Sequence, residues 1–137
     1  MNISQVMTTD VQVGSPDDTL QKAAQMMADY DFGILPIVDN NQLVGMLSDR
    51  DITIRAVAKG LSPNEHFVRE IMSHDVEFIF QDDSVEDAAQ MMSEFQVRRL
   101  PVVDSDEQLV GIVSLGDLAI SDDKAAGEAL ESISQSN

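Results

Sequence analysis

Two serine–aspartate pairs carry the side chains of this chain that are best suited to chemistry. Ser48 precedes Asp51 by three residues, and Ser114 precedes Asp117 by the same spacing. Ser and Asp are among the commonest residues at the start of a helix, so each pair is compatible with a helix cap. A carboxylate also accepts hydrogen bonds from hydroxyl donors, which is what a polar ligand would offer. The residues alone leave both interpretations open.

Arginines lie close to both pairs. Arg50 lies inside the first pair, Gly116 takes the same place in the second, and Arg98-Arg99 comes shortly before the second pair. A guanidinium matches the geometry of a phosphate group. The alternative for Arg98-Arg99 is a salt bridge to an acidic surface, since two arginines are too few for a nucleic-acid site.

We find no catalytic constellation in the sequence. The chain has no cysteine, no Gly-x-Ser-x-Gly elbow and no phosphate-binding Gly-x-x-x-x-Gly-Lys-Ser/Thr loop. His66 and His74 are eight residues apart, which matches no recurrent metal-ligand spacing. The sequence therefore predicts neither an enzyme nor a metal site.

The charge balance excludes several partners. The 137 residues include 25 Asp and Glu but only 8 Lys and Arg, giving a net charge of −17. Nucleic acids and anionic membranes are bound through Lys and Arg, so neither is an expected partner. Apolar stretches such as Phe32–Val38 are too short to span a bilayer, and no signal peptide is visible. We therefore expect a cytoplasmic protein.

The two pairs belong to an internal repeat. Three blocks recur 65 residues later and two recur 66 residues later, a difference that one insertion in a turn explains. The recurring blocks begin at Val6, Ala23, Leu35, Leu43 and Ser48. We predict one copy over residues 1–62, a second over 63–122, and an acidic tail over 123–137. Each copy is near the lower limit for a self-sufficient core, so we expect the two copies to pack on each other.

Each copy reads as strand, helix, strand, strand, helix, which is an α+β unit. Val11–Val13 is the first predicted strand, and Asp18 has the spacing of a helix N-cap, as does Asp83 in the second copy. Apolar residues then recur at helical spacing, and two short apolar runs separated by turn residues predict a hairpin. Pro36 and Pro101 lack a backbone donor, so we expect each at the start or edge of its strand.

The ordered set of motifs, found twice, resembles the cystathionine-β-synthase-type (CBS) domain in tandem. The set comprises Met-Thr/Ser, Ala-Ala-x-x-Met, Leu-Pro-h-Val-Asp (h, hydrophobic), Leu-Val-Gly and Ser-x-x-Asp, and it covers Ile3 to about Ile120. Leu47–Ile52 is particularly similar to bacterial stand-alone CBS proteins. The resemblance implies two pseudo-symmetric β-α-β-β-α units packed through their sheets. It also implies adenosine ligands (AMP, ADP, ATP, sometimes S-adenosylmethionine) bound in the cleft between the units.

The resemblance also implies a role for particular residues of the first copy. Asp51 would accept hydrogen bonds from the ribose hydroxyls, Ser48 would contact ribose or phosphate, and Arg50 would meet the phosphate. The remaining candidates flank the adenine or close the pocket, and they are Val13, Ser15, Phe32, Gly33, Ile34, Leu35 and Pro36.

The second copy offers matching candidates with some departures. The matching residues are Val97, Arg98, Arg99, Pro101, Ser114 and Asp117. Arg98 and Arg99 replace Gly33 and Ile34, Phe80 replaces Ser15, and Gly116 replaces Arg50. The second site is therefore bulkier and differently charged, and we predict that the first site is favoured.

The combined prediction is a non-catalytic regulatory module of the energy-sensing kind that binds an adenosine nucleotide, with AMP favoured. The alternative is a ligand-free structural or dimerisation module with vestigial clefts. Met26 and Met91 lie beside the apolar stripes of their helices, where they either widen the core or join two molecules into a homodimer. A regulated partner protein is implied, but the sequence does not identify it.

Overall fold

The computed structural model describes residues 1–121, 130, 132 and 133, and these form two compact units. The contiguous unit is Gln12–Val76. The composite unit joins Met1–Val11 to the described part of residues 77–137. The predicted tail over 123–137 lies almost entirely outside the described residues. None of the described helices is long and apolar enough to cross a membrane.

The contiguous unit contains one long helix and one hairpin. Helix α1 (Leu20–Tyr30) is followed by strands β1 (Ile34–Asp39) and β2 (Gln42–Ser48), which pair antiparallel. A one-turn helix α2 (Asp49–Asp51) follows β2 directly and continues as a π-helix over Ile52–Ala56, then as a 3-10 turn over Val57–Lys59.

The composite unit repeats this order with a fuller sheet. Its elements are a 3-10 turn (Ile3–Gln5), β3 (Ile79–Phe80), α3 (Val85–Phe95), β4 (Arg99–Val103), β5 (Leu109–Ser114) and α4 (Leu115–Ser121). Strand β4 is central, parallel to β3 and antiparallel to β5. The mixed α+β class is therefore confirmed.

Two local predictions about the strands need correction. Val11–Val13 forms no strand, because only Gly14 makes a parallel bridge, to Ile37 of β1. Pro36 is the third residue of β1, and β1 is an edge strand of the two-stranded sheet, which is one of the two expected positions. Pro101 is the third residue of the central strand β4, which is neither expected position. The ladder between β3 and β4 nevertheless begins only at Val102, consistent with the missing N–H of Pro101.

The helix caps lie one residue later than predicted. Thr19 and Ser84 are the N-cap residues of α1 and α3. The preceding Asp18 instead accepts a hydrogen bond from the Ser15 N–H at 2.9 Å, and Asp83 does the same for Phe80 at 3.1 Å. Asp18 thus stabilises the turn between the Gly14 bridge and α1, and Asp83 stabilises the turn between β3 and α3.

The two sequence copies exchange the short segments with which they begin. The Thr8 N–H donates to the Ile112 carbonyl of β5 at 2.8 Å, so the start of the first copy packs in the composite unit. Ser73 makes the equivalent pair with Met46 of β2 in the contiguous unit. Sequence copies and compact units are therefore different divisions of the chain.

A glycine in each Leu-Val-Gly block makes this exchange possible. A Cβ built on Gly45 would lie 2.8 Å from both the Met72 Sδ and the Ser73 carbonyl oxygen. A Cβ on Gly111 would lie 2.8 Å from the Met7 Sδ and the Thr8 carbonyl oxygen. Real Cβ contacts are longer than this, so only glycine admits the exchanged segment against the strand.

Each unit has its own hydrophobic core. In the composite unit α3 buries Val85, Ala88, Ala89 and Met92, as its spacing predicts. In the contiguous unit the helical spacing predicts that Leu20, Ala23, Ala24 and Met27 face the core, and α1 buries all of these except Ala24, which is exposed. Met26 and Met91 are half-buried and pack against the edges of their cores.

Candidate functional site

Ser48 and Asp51 form a reciprocal cap at the junction of β2 and α2. The Ser48 N–H donates to the Asp51 Oδ2 at 2.9 Å, and the Asp51 N–H donates to the Ser48 Oγ at 3.0 Å. The capping interpretation is therefore confirmed for this pair. It leaves the second carboxylate oxygen, Oδ1, without a hydrogen bond to any described residue, on a side chain that is 17% exposed. A carboxylate has four lone-pair sites, so capping and ligand binding are compatible.

The hairpin brings the residues before β1 to the same place. Ile34 is the register partner of Ser48 across the hairpin. The Asp49 N–H donates to the Gly33 carbonyl at 2.8 Å, which ties the loop before β1 to the start of α2. Phe32, in that loop, is 44% exposed. Gly33, Ile34, Ser48 and Asp51 therefore converge at one end of the hairpin.

The other predicted residues of the first copy lie further along β1. Leu35 and Pro36 are buried within the strand, and the Pro36 carbonyl accepts from the Gly14 N–H at 2.9 Å. Val13 and Ser15 flank Gly14 and are half-buried. Gly14 bridges Ile37, which is three residues beyond Ile34, so the candidate residues extend over about 10 Å at the rise of a strand.

The second copy reproduces this geometry with different side chains. Ser114 and Asp117 form the same reciprocal cap, at 2.9 and 3.1 Å, and Arg99 is the register partner of Ser114. The Leu115 N–H donates to the Arg98 carbonyl, as Asp49 does to Gly33. Val97 is half-buried and Pro101 is buried in β4.

A phenylalanine stands where the first copy has Ser15. Phe80 is 40% exposed and makes an edge-to-face contact with Phe78, with ring centroids 5.6 Å apart.

Some of the Lys and Arg side chains form ion pairs with carboxylates, and others do not. Lys22, Arg55 and Arg69 form ion pairs with aspartates. Among the described residues, the side chains of Arg50, Arg98 and Arg99 have no ion-pair partner, and all three are exposed. These guanidiniums are thus positive charges without a described carboxylate partner on a chain of net charge −17.

Arg55 is a residue of this site that the sequence reasoning missed. Its Nε lies 3.7 Å from the Asp51 Oδ1, and its Nη1 donates to the Ile71 carbonyl at 3.0 Å. The spacing of Asp51 and Arg55, four residues apart on a helical segment, is the signal that was available.

Comparison with known families decides the classification. The sequence model of the CBS domain matches residues 3–57 and 68–124. The chain belongs to the CBS domain family. Among curated CBS relatives, CBS domain-containing protein YhcV of Bacillus subtilis is 43% identical over 138 residues, covering 99% of this chain and 97% of YhcV.

Solved CBS structures share the fold and include ligand complexes. Hypoxic Response Protein I with two coordinated zinc ions aligns with a TM-score of 0.80 and 37% identity, covering 88% of this chain and 98% of that chain. CBSX2 in complex with AMP aligns at 0.76 and 28%, covering 90% and 96%. The CBS pair of protein MJ0100 with 5′-methylthioadenosine and S-adenosyl-L-methionine aligns at 0.75 and 27%, covering 88% and 94%.

No three His, Asp or Glu side chains come together as metal ligands within the described part of the chain, and the sequence has no cysteine. His66 instead pairs with Glu70, with 2.9 Å between Nδ1 and Oε1, and His74 is exposed. The Glu70 pKa is lowered, first by the hydrogen bond with His66 and second by the Phe67 N–H.

Proposed function

We propose that this chain is a non-catalytic regulatory module that binds an adenosine nucleotide, with the first-copy site around Asp51 as the principal site. The observation that carries the proposal is the state of the Asp51 carboxylate. Its Oδ2 is held by the Ser48 N–H while its Oδ1 has no hydrogen-bond partner among the described residues. A fixed carboxylate with one oxygen free of hydrogen bonds, and only 3.7 Å from the Arg55 Nε, is suited to accepting hydroxyls of a ribose.

Arg50 supports a phosphate at the same end of the hairpin. It follows Ser48 by two residues, it is exposed, and it pairs with no described carboxylate. Two similar CBS proteins carry adenosine ligands, AMP in one and 5′-methylthioadenosine with S-adenosylmethionine in the other. We favour AMP because each further phosphate adds negative charge against a chain of net charge −17. The expected Kd lies between roughly 1 μM and 1 mM.

The second-copy site is the weaker of the two in this proposal. Phe80 occupies the position of Ser15, and Gly116 offers no guanidinium in place of Arg50. Arg98 and Arg99 supply positive charge, so we expect residual anion affinity there rather than none. Titration should therefore detect about one tight nucleotide per chain.

A matched pair of variants tests the role of Asp51. In Asp51→Asn the amide oxygen can still accept from the Ser48 N–H, but the second oxygen becomes an NH₂ donor and no longer accepts a ribose hydroxyl. We expect AMP affinity measured by calorimetry to fall by about 1.5–3 kcal/mol, which is roughly 10- to 150-fold. Asp117→Asn makes the same change in the other copy and should leave the tight binding unchanged.

Stability measurements on the same variants separate ligand binding from capping. Loss of the helix-start charge should cost each variant no more than about 1 kcal/mol in urea unfolding. If Asp51→Asn lost stability but kept its AMP affinity, Asp51 would serve only as a cap. If wild-type protein showed no heat and no thermal shift with AMP, ADP, ATP or S-adenosylmethionine at millimolar concentration, the ligand-free structural module would replace this proposal.

A further inference from the structure

Arg55 contacts two groups that lie far apart in the sequence. Its Nε is 3.7 Å from the Oδ1 of Asp51, and its Nη1 donates to the backbone carbonyl of Ile71 at 3.0 Å. Asp51 is the proposed ribose acceptor, and Ile71 belongs to the exchanged segment that docks on β2. One guanidinium therefore joins the candidate ligand site to that segment within the contiguous unit.

The docked segment, Phe67–Ser73, is held on both sides of Ile71. Val68, Ile71 and Met72 are buried in the core of the contiguous unit. At its end, Ser73 and Met46 exchange two backbone hydrogen bonds of 2.9 and 3.0 Å. The position of the segment against β2 is closely defined, because Met72 and Ser73 lie in direct contact with Gly45.

The contact of Arg55 with Asp51 is adjustable, whereas its contact with Ile71 is a formed hydrogen bond. The distance of 3.7 Å exceeds a hydrogen bond, and the Arg55 side chain is 48% exposed. Arg55 also lies in the π-helical stretch Ile52–Ala56, and π-turns are frequent at functional sites.

The second copy has no arginine at the equivalent position. The residue corresponding to Arg55 is Ser121, which carries no guanidinium. The corresponding segment of the second copy, Leu115–Ser121, is an α-helix, whereas Arg55 lies in a π-helical stretch. The asymmetry provides an internal control, because Thr8 pairs with Ile112 just as Ser73 pairs with Met46.

We propose that Arg55 is a positioning residue that couples occupancy of the Asp51 site to docking of the Phe67–Ser73 segment. This inference rests on the proposed nucleotide-binding function. Ribose hydroxyls that donate to the Asp51 Oδ1 weaken its attraction for the guanidinium. Arg55 then turns more fully to the Ile71 carbonyl and strengthens the docked arrangement. By linkage, the docked segment favours the ligand to the same extent.

Amide hydrogen exchange on the full chain, with and without AMP, measures this coupling. In the wild type we expect AMP to slow exchange of the Ser73 amide at least about fivefold more than that of the Thr8 amide, a modest allosteric coupling. The comparison with Thr8 removes any general stabilisation by ligand. AMP affinity is measured in parallel by calorimetry.

Two substitutions and one control test the part played by the guanidinium. Arg55→Gln removes the charge, and Arg55→Lys keeps a charge but loses the planar fork that reaches two partners. Both should abolish the selective slowing at Ser73 while AMP affinity stays within about fivefold, the same coupling factor. Lys59→Gln removes one exposed charge from the same helical segment and should retain the effect.

A ligand substitution repeats the test on the unmodified protein, should an Arg55 variant fail to fold. 2′,3′-Dideoxyadenosine monophosphate lacks both hydroxyls and should cause no selective slowing of exchange at the Ser73 amide, even at saturation. Selective slowing that persists in Arg55→Gln or with the dideoxy ligand would overturn the coupling and leave nucleotide binding intact. Equal slowing at Ser73 and Thr8 would also overturn it. If AMP did not bind the wild type at all, the proposed function itself would fail, and this inference with it.

Discussion

Replacement of Gly45 by alanine should destabilise the contiguous unit strongly. The added Cβ would lie 2.8 Å from the Ser73 carbonyl oxygen, which is backbone and cannot rotate away. The segment must then move from β2, and overpacking of this kind costs about 1–3 kcal/mol. Displacement also weakens the two backbone hydrogen bonds between Ser73 and Met46, each worth about 0.5–1.5 kcal/mol. Because displacement weakens these hydrogen bonds without removing them, we expect a total loss of about 2–4 kcal/mol.

Urea unfolding of a series of glycine variants checks this reasoning. Gly111→Ala meets Met7 and Thr8 at the same distances, so it should lose a similar amount. At Gly116 an added Cβ meets only the Ser114 Oγ at 3.6 Å, within α4, so alanine there should stabilise by up to about 1 kcal/mol. If the free energy of unfolding of Gly45→Ala stayed within about 0.5 kcal/mol of the wild-type value, close contact with the exchanged segment would not be what requires glycine at position 45.

The remaining predictions concern acidity and assembly. The lowered pKa of Glu70 means that its contacts with His66 and Phe67 stabilise the fold above the ordinary pKa of a glutamate, and that this contribution is lost as the pH falls through the lowered value. The difference in urea midpoint between wild type and Glu70→Gln should therefore shrink from pH 7 to pH 3, and an equal difference at both would contradict it. For the expected homodimer, replacing Met26 and Met91 together by Glu should weaken association in light scattering, whereas unchanged association would place the interface elsewhere.

The repeat made much of the fold predictable. The Leu-Pro and Leu-Val-Gly blocks fall on paired strands in both copies, and both serine–aspartate pairs cap helices as their spacing allows. The caps of α1 and α3 were predicted one residue early. Asp18 and Asp83 have the side chain of a cap, but they bind the turn before the helix, and Thr19 and Ser84 take the cap instead.

Other features could not be read from a linear pattern. Val6–Thr8 recurs with its copy, yet nothing in the sequence says that it packs against the strand of the other copy. Packing partners depend on contacts between distant segments, which repeats do not reveal. Arg55 was not predicted because comparison of the copies emphasises duplicated residues, and Arg55 has no duplicate in the second copy.

The exchange of segments has a consequence for the order in which the protein folds. All of the contiguous unit is available once residue 76 has been synthesised, and Met46 and Ser73 pair across only 27 residues. The composite unit must wait for β5, because Thr8 and Ile112 pair across 104 residues. A loop almost four times as long costs about 1.2 kcal/mol more to close, at about 0.6 kcal/mol for each doubling. On the ribosome, residues 1–11 are therefore made before the contiguous unit but can pair with β5 only after Ile112 has been synthesised.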